Sequence, residues 1–165
     1  MKQSKIAVLT AALLLSSTAS AIPSNSLHSL KGDNRVGTNI PAVQAQSSIP
    51  FNKSFDNLSQ QEQNLVRAQF DDLGVNDTPP FPSKGLQSIY KPIIKANQRY
   101  SAKGTLSLNA TVDASGQITS IEVNQSPSKA LSRKVERVLS SVKFDAASCD
   151  GNRCEMSFPV NIQFN

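Results

Sequence analysis

The run Gly104–Val112 alternates strictly between polar and apolar residues and leads straight into a turn sequence. Alternation with period two predicts a strand with one buried face. Residues 113–116, Asp-Ala-Ser-Gly, follow it, and glycine can take the positive φ of a hairpin turn. The returning strand, 118–123, changes parity once between Ile118 and Ile121, which we interpret as a bulge. Part of the core must therefore be built on an antiparallel hairpin.

A helix and a third strand complete this pattern. Ser128 is a suitable N-cap, and an apolar stripe continues from it to about residue 142. Charged residues cover the opposite side, which we interpret as a solvated face. Residues 156–164 then alternate again between apolar and polar side chains. The sequence thus predicts an α+β fold: a small β-β-α-β domain whose three-stranded antiparallel sheet carries helices on one face.

One or two helices are predicted to precede this domain. Ser59 and Glu62 form a capping-box pattern, and Gly74 follows the last periodic residue as a stop signal. After a proline-rich link at 79–82, apolar residues at spacings of three and four predict a second helix over 84–98, which Pro92 kinks or splits. We therefore treat 58–165 as one unit with a helical lead-in.

The N-terminus has the pattern of a secretory signal peptide. Two lysines precede an apolar run of about ten residues, and small residues end at Ala21, where we predict cleavage. The run is about half of what a membrane-spanning helix needs. We expect residues 1–21 to be removed and the mature chain to be soluble in the periplasm, with 22–57 as a flexible leader rich in Ser, Asn and Gln.

The charge balance argues against a nucleic-acid partner. The chain has 17 basic and 12 acidic residues, and the signal peptide contains two lysines and no acid, so the mature chain keeps an excess of three basic residues. This small excess, dispersed along the chain, indicates a solubility feature.

Cys149 and Cys154 flank a turn sequence near the C-terminus. In an oxidising compartment their spacing predicts a disulfide that joins the arms of a hairpin. A zinc site fits less well, because it needs about four ligands and the only histidine, His28, lies in the leader, where we expect it to be solvated. A thioredoxin-type pair would have two residues between its cysteines, and here there are four.

Catalytic residue sets are missing from the sequence. Serine occurs in no Gly-x-Ser-x-Gly turn, and the acidic residues near the end of the first predicted helix lack the alternation of a calcium loop. We interpret Tyr90 and Tyr100 as packing residues. The sequence predicts no enzyme, no cofactor and no metal.

The order of these pieces resembles the C-terminal domain of the TonB family over about 79–165, most strongly from Gly104. The matching pieces are the glycine at the first strand, the Val112-Asp113 and Gly116 hairpin, the returning strand, and the closing strand with Pro159-Val160 and Phe164. The paired cysteines and the Ser128-capped helix also resemble the TolA C-terminal domain, a similarly built periplasmic module.

The resemblance implies a non-enzymatic module that binds an extended segment of an envelope protein, such as an outer-membrane transporter or a secretion component, as an added strand. It places the receptive edge on the last strand, at Glu155, Ser157, Pro159, Asn161 and Gln163. TonB itself begins with a membrane anchor and a long proline-rich spacer, and this chain has a cleavable signal instead. Two alternatives stay open: an energy transducer with a retained N-terminal anchor, and an accessory subunit of a secretion or cell-envelope assembly.

Overall fold

The computed structural model describes residues 27–31, 44–71 and 73–165. The predicted signal peptide and its cleavage site lie outside these residues. The helices are α1 (Gln60–Arg67), α2 (Gln87–Tyr100) and α3 (Lys129–Leu139). The strands are β1 (His28–Lys31), β2 (Gln44–Ser47), β3 (Phe81–Pro82), β4 (Gly104–Val112), β5 (Ile118–Gln125), β6 (Phe144–Asp145), β7 (Ala147–Cys149), β8 (Asn152–Cys154) and β9 (Met156–Phe164).

A three-stranded antiparallel sheet in the order β5-β4-β9 organises the C-terminal part of the chain. Alternation along β4 and β9 sends one set of side chains to a buried face and the other to solvent. The buried face packs with α2 and α3 in a single core cluster. The α+β fold predicted from the sequence, with helices on one face of a three-stranded sheet, is confirmed.

The turn between β4 and β5 depends on one side chain and one glycine. The Asp113 carboxylate accepts hydrogen bonds from the Ser115 amide and hydroxyl and from the Gln117 amide, an Asx-type turn. Gly116 has a φ of +81°, and its carbonyl accepts the Phe144 amide. Register shifts at Ser107/Leu108 and Thr111/Val112 mark two irregularities along the β4–β5 ladder, one of them at the predicted bulge.

The two long helices are amphipathic and lie against each other above the sheet. Helix α2 begins three residues later than predicted and runs unbroken through Pro92, because the packing of Ile89 and Ile93 in the core outweighs the low helical propensity of proline. Ser128 caps α3 by accepting the Leu131 amide, as predicted. Within the described residues no helix has the length and apolar character needed to cross a membrane.

Helix α1 has the predicted capping box: the Ser59 hydroxyl accepts the Glu62 amide, and the Glu62 carboxylate accepts the Ser59 amide. The helix ends at Arg67, before the predicted stop at Gly74. The Arg67 guanidinium donates to the carbonyls of Gly74, Val75 and Asp77, so the chain folds back around this side chain instead of continuing as a helix.

The leader that we expected to be flexible contains ordered structure where the model describes it. Strands β1 and β2 pair antiparallel, and Leu30, Ile49, Phe51 and Phe55 are buried in the core cluster. Their aromatic and aliphatic side chains fill space beside α2 and β3 that the β-β-α-β unit leaves open, with Phe51 in edge contact with the ring of Tyr90. The described residues of the predicted flexible leader, 22–57, therefore contribute strands and core side chains.

Candidate functional site

The candidate binding site is the outer edge of β9. Within the described residues β9 pairs only with β4, and the pairing runs over nine residues, from Gly104 opposite Phe164 to Val112 opposite Met156, without an irregularity. A strand that ends a sheet leaves a row of main-chain N–H and C=O groups without ladder partners. The edge position expected for the final strand is thus present.

Two observations establish which residues of β9 direct these groups outward. The Asp113 amide donates to the Gln117 carbonyl across the hairpin. The main-chain N–H and C=O groups of odd-numbered residues in β4 therefore point toward β5, and those of even-numbered residues point toward β9. Leu108 lies opposite Val160, which sends the even-numbered main-chain groups of β9 toward β4. Pro159 has no N–H group and occupies an outward position, so its presence removes no hydrogen bond from the β4–β9 ladder.

The residues predicted for partner binding all belong to this outward set or directly precede it. Ser157, Pro159, Asn161 and Gln163 lie in β9, with side chains on the face of the sheet opposite the helices, and Glu155 is the exposed residue before the strand. The Thr105 hydroxyl donates to the Gln163 side-chain carbonyl at 2.7 Å. The outward main-chain donors of β9 are therefore those of Ser157, Asn161 and Gln163, with a gap at Pro159.

A surface cavity of about 290 Å³ adjoins the first half of β9. One wall is the turn after α1 and the other is the solvent-facing side of the sheet. Its lining combines apolar and uncharged polar side chains with one carboxylate: Gln69, Phe70, Asp71, Leu73, Asn109, Met156, Ser157 and Pro159. The cavity lies beside the part of the edge that Pro159 interrupts.

The disulfide hairpin β7–β8 immediately precedes this edge. Cys149 and Cys154 are joined, with their Cα atoms 5.8 Å apart, which confirms the predicted pairing. The hairpin is also tied to the segment after α1: Thr78 and Ser148 exchange main-chain hydrogen bonds, and the Asp77 carboxylate accepts the Asp150 amide at 2.8 Å. These bonds fix the position from which β9 starts.

The titratable groups in the described residues form no catalytic arrangement. Burial raises the pKa of Tyr90 to about 12. The Ser59 amide chiefly lowers the pKa of Glu62, and the Ser115 hydroxyl chiefly lowers that of Asp113. Burial accounts for the raised pKa of Tyr90, and local hydrogen bonds account for the lowered pKa values of Glu62 and Asp113. The described part of the chain also contains no cluster of His, Cys, Asp or Glu that could hold a metal ion.

His28 differs from the solvated residue that we expected. It lies in β1 and is half-buried, and its Nε2 atom is enclosed without a hydrogen-bond partner in the described residues. The pairing of β1 with β2, which the irregular leader sequence does not indicate, accounts for this burial.

Comparison with known protein families agrees with the three-stranded sheet and the helices packed on it. The family model of the Gram-negative bacterial TonB protein C-terminal matches residues 95–165. No curated protein matches the chain. The matched family consists of periplasmic protein-interaction domains and is not an enzyme family. The match begins within α2 and includes all of β4, β5, α3 and β9.

Proposed function

Because residues 95–165 match the family model of the TonB C-terminal domain, we propose that this protein binds an extended segment of an envelope protein as a strand added beside β9. The observation that carries the proposal is the regular nine-residue pairing of β9 with β4, because no other described strand pairs with the second side of β9. Main-chain hydrogen bonds give affinity in this mode of recognition, and pockets for alternate side chains give specificity.

The open edge has two parts. Asn161 and Gln163 offer outward N–H and C=O groups at two successive outward positions, and both side chains are exposed. Pro159 offers only a carbonyl, so an incoming strand loses one hydrogen bond there. The cavity of about 290 Å³ beside Met156 and Pro159 supplies space for a side chain of the incoming strand at that point. Affinity then comes mainly from the 161–163 part and specificity from the cavity.

The partner class follows from the compartment. The apolar run and the small residues ending at Ala21 support export and cleavage there, and the Cys149–Cys154 disulfide suits an oxidising compartment. We expect the bound segment to belong to a periplasm-facing envelope protein, such as an outer-membrane transporter. N-terminal sequencing of the protein recovered from cells tests this: a start at Ile22 supports the exported module, and a retained N-terminus would indicate an anchored energy transducer.

The edge is tested by comparing Asn161→Pro with Asn161→Ala. Proline removes the outward N–H and alanine keeps it, while both remove the amide side chain. The natural Pro159 shows that β9 accommodates proline at an outward position. We expect the alanine variant to capture partners from envelope extract like the wild type, and the proline variant to capture at least tenfold less. Equal capture by both variants, with both folded by circular dichroism, would exclude β9 as the binding edge.

Amide hydrogen exchange gives an independent test on the protein alone. Phe158, Val160 and Ile162 direct their amides toward β4 and should exchange slowly, whereas Ser157, Asn161 and Gln163 should exchange quickly. Addition of a captured partner segment should slow exchange at the second group and leave the first group unchanged. Protection of all six amides in the free protein would show that the edge is already occupied.

A further inference from the structure

The helical layer, formed by α2 and α3, is rich in basic residues and poor in acidic ones. This is not evident from the overall composition of the chain. Residues 84–103 contain five basic residues and no acidic one, and residues 129–143 contain five basic residues and one acidic one. These two segments hold ten of the 17 basic residues and one of the 12 acidic residues, so the rest of the chain has an excess of acids. The basic excess is therefore segregated in the helices and not dispersed.

The exposed cations of both helices point away from the sheet. Lys91, Lys95 and Arg99 follow each other at intervals of four residues along α2, about 6 Å apart along its axis, and all three are exposed. On α3 the residues opposite the buried stripe are cationic too. α2 and α3 lie side by side, and their exposed cations together define the basic helical face: Lys91, Lys95, Arg99, Lys129, Arg133, Lys134 and Arg137.

None of these cations is neutralised within the described residues. The one ion pair there is Lys53–Glu62, at 3.3 Å, and it belongs to the lead-in. Glu136 is the only acidic residue in either helix. Exposed like charges that lie near one another repel, and an approaching anionic surface relieves this repulsion in addition to the screening by salt.

We propose that the basic helical face binds the surface of an anionic phospholipid bilayer. A stable protein interface needs an apolar centre, and of the large apolar side chains exposed in the described residues only Tyr100 lies in the helical layer. Four of the seven cations are lysines, whose flexible ammonium groups act as point charges and suit a fluid layer of headgroups better than a fixed set of carboxylates. Tyr100 lies next to Arg99 at the end of α2, and tyrosine favours the headgroup level of a membrane.

This arrangement is compatible with the open edge of β9 and does not depend on it. The helices cover one face of the sheet and turn their cations away from it, so a protein lying with α2 and α3 on a bilayer leaves the sheet edges to the side. Membrane association then needs no spanning helix. A protein that fails to bind lipid could still bind a partner strand, and the reverse also holds.

Vesicle co-sedimentation tests the proposal with the exported protein as recovered from cells. One arm uses phosphatidylcholine vesicles and the other replaces a third of the lipid with phosphatidylglycerol. We expect binding only to the anionic vesicles at 0.05 M salt and its loss by 0.5 M salt, because screening shortens the reach of surface charges. Equal binding to neutral vesicles, or no binding to anionic ones, would overturn the proposal.

Arg137→Glu and Arg153→Glu form a matched pair for the same measurement. Both arginines are exposed and both changes alter the net charge equally, but Arg137 lies on the basic helical face and Arg153 in the disulfide hairpin. Each cation near an anionic surface contributes a factor of about five in binding. Arg137→Glu should weaken vesicle binding by at least that factor, and Arg153→Glu should weaken it less than twofold.

Equal losses in the two variants would show that net charge, and not this face, controls binding. Binding to soluble poly-glutamate tests the competing hypothesis that the basic helical face binds an acidic protein. If Arg137→Glu abolishes binding to poly-glutamate while the wild type ignores anionic vesicles, the face is a site for an acidic protein and the lipid proposal is wrong.

Discussion

The two outer strands of the central sheet pair with the same middle strand, yet they leave very different edges. β9 follows β4 for nine residues in constant register, whereas β5 shifts register at two places. Irregular edges twist and lose the even row of donors and acceptors that another strand needs. We therefore expect regularity of the ladder, more than solvent exposure, to decide which of the two edges accepts a strand.

The direction of the main-chain groups in β9 can be tested by moving proline one residue along the strand. Ile162→Pro removes an amide that donates to β4, so we expect it to lower the free energy of unfolding by about 3 kcal/mol beyond Ile162→Ala. Asn161→Pro removes only an outward amide and should stay within about 1 kcal/mol of Asn161→Ala. Chemical denaturation of the four variants measures both differences.

The alanine variants separate the lost side chain from the lost amide in each case. If Asn161→Pro and Ile162→Pro have the same cost relative to their alanine controls, the alternation of outward and inward groups derived from Asp113 and Pro159 is wrong, and with it the difference between the two edges.

The turn between β4 and β5 should be the second most sensitive part of the sheet to mutation. A Cβ atom at Gly116 would lie 2.1 Å from the Phe144 carbonyl oxygen, and the residue has a φ of +81°. We expect Gly116→Ala to cost about 3 kcal/mol in thermal or chemical unfolding. Gly151→Ala is the control, because Gly151 has a φ of +80° and no atom within 4 Å of its Cβ position; it should cost about 1 kcal/mol. Equal costs would mean that the contact with Phe144 is unimportant.

The disulfide hairpin that leads into β9 should contribute less than the turn. Replacing both Cys149 and Cys154 with serine removes a short covalent loop, worth about 2 kcal/mol on the loop-entropy model. We expect a cooperative unfolding transition at lower denaturant concentration, with the fold retained. Thiol labelling of the native wild type without reductant should find no free cysteine, and full labelling would contradict the assignment.

The smallest expected effect is the pH dependence of the β4–β5 turn. Hydrogen bonds, chiefly from the Ser115 hydroxyl, lower the pKa of Asp113 in the folded protein. Its stabilising contribution is therefore present above the unfolded pKa of about 3.9 and disappears as the pH falls through the folded value. The melting temperatures of the wild type and Asp113→Asn should differ at pH 7, and the difference should begin to shrink near pH 4 and disappear only below the lowered pKa of Asp113 in the folded protein. A difference that stays constant from pH 7 to pH 2 would contradict this.

Local signals in the sequence were sufficient to predict the elements that form the proposed binding edge. Alternation predicts β4 and β9, and Ser128 and Ser59 begin α3 and α1 where the structure has them. For the two helices the capping contact lies three residues from the signal, and for the two strands the alternation itself indicates which face is buried. The edge position of β9 came from the family resemblance, and the outward direction of its groups could have been argued from Pro159 alone.

Elements that depend on distant contacts could not be predicted in this way. β3 and β6 are two residues long, and Phe81 meets Asp145 only because the chain has already folded around both. The early end of α1 depends on carbonyls seven to ten residues beyond Arg67. The basic helical face is not evident from any single segment, because it joins two helices. The sequence signal for it is the absence of any acidic residue over 84–103.

The pairing of β4 on its two sides also determines the order in which this domain folds. β4 meets β5 across a five-residue connection, 113–117, but its partners in β9 lie 44 to 60 residues further along the chain. Hairpins close within microseconds, whereas pairings between distant segments are slow. We therefore expect the pairing of β4 with β9 to form after the β4–β5 hairpin. The edge proposed to receive a partner is therefore the last part of the sheet to form. An incompletely folded chain lacks the β9 edge that this partner would bind.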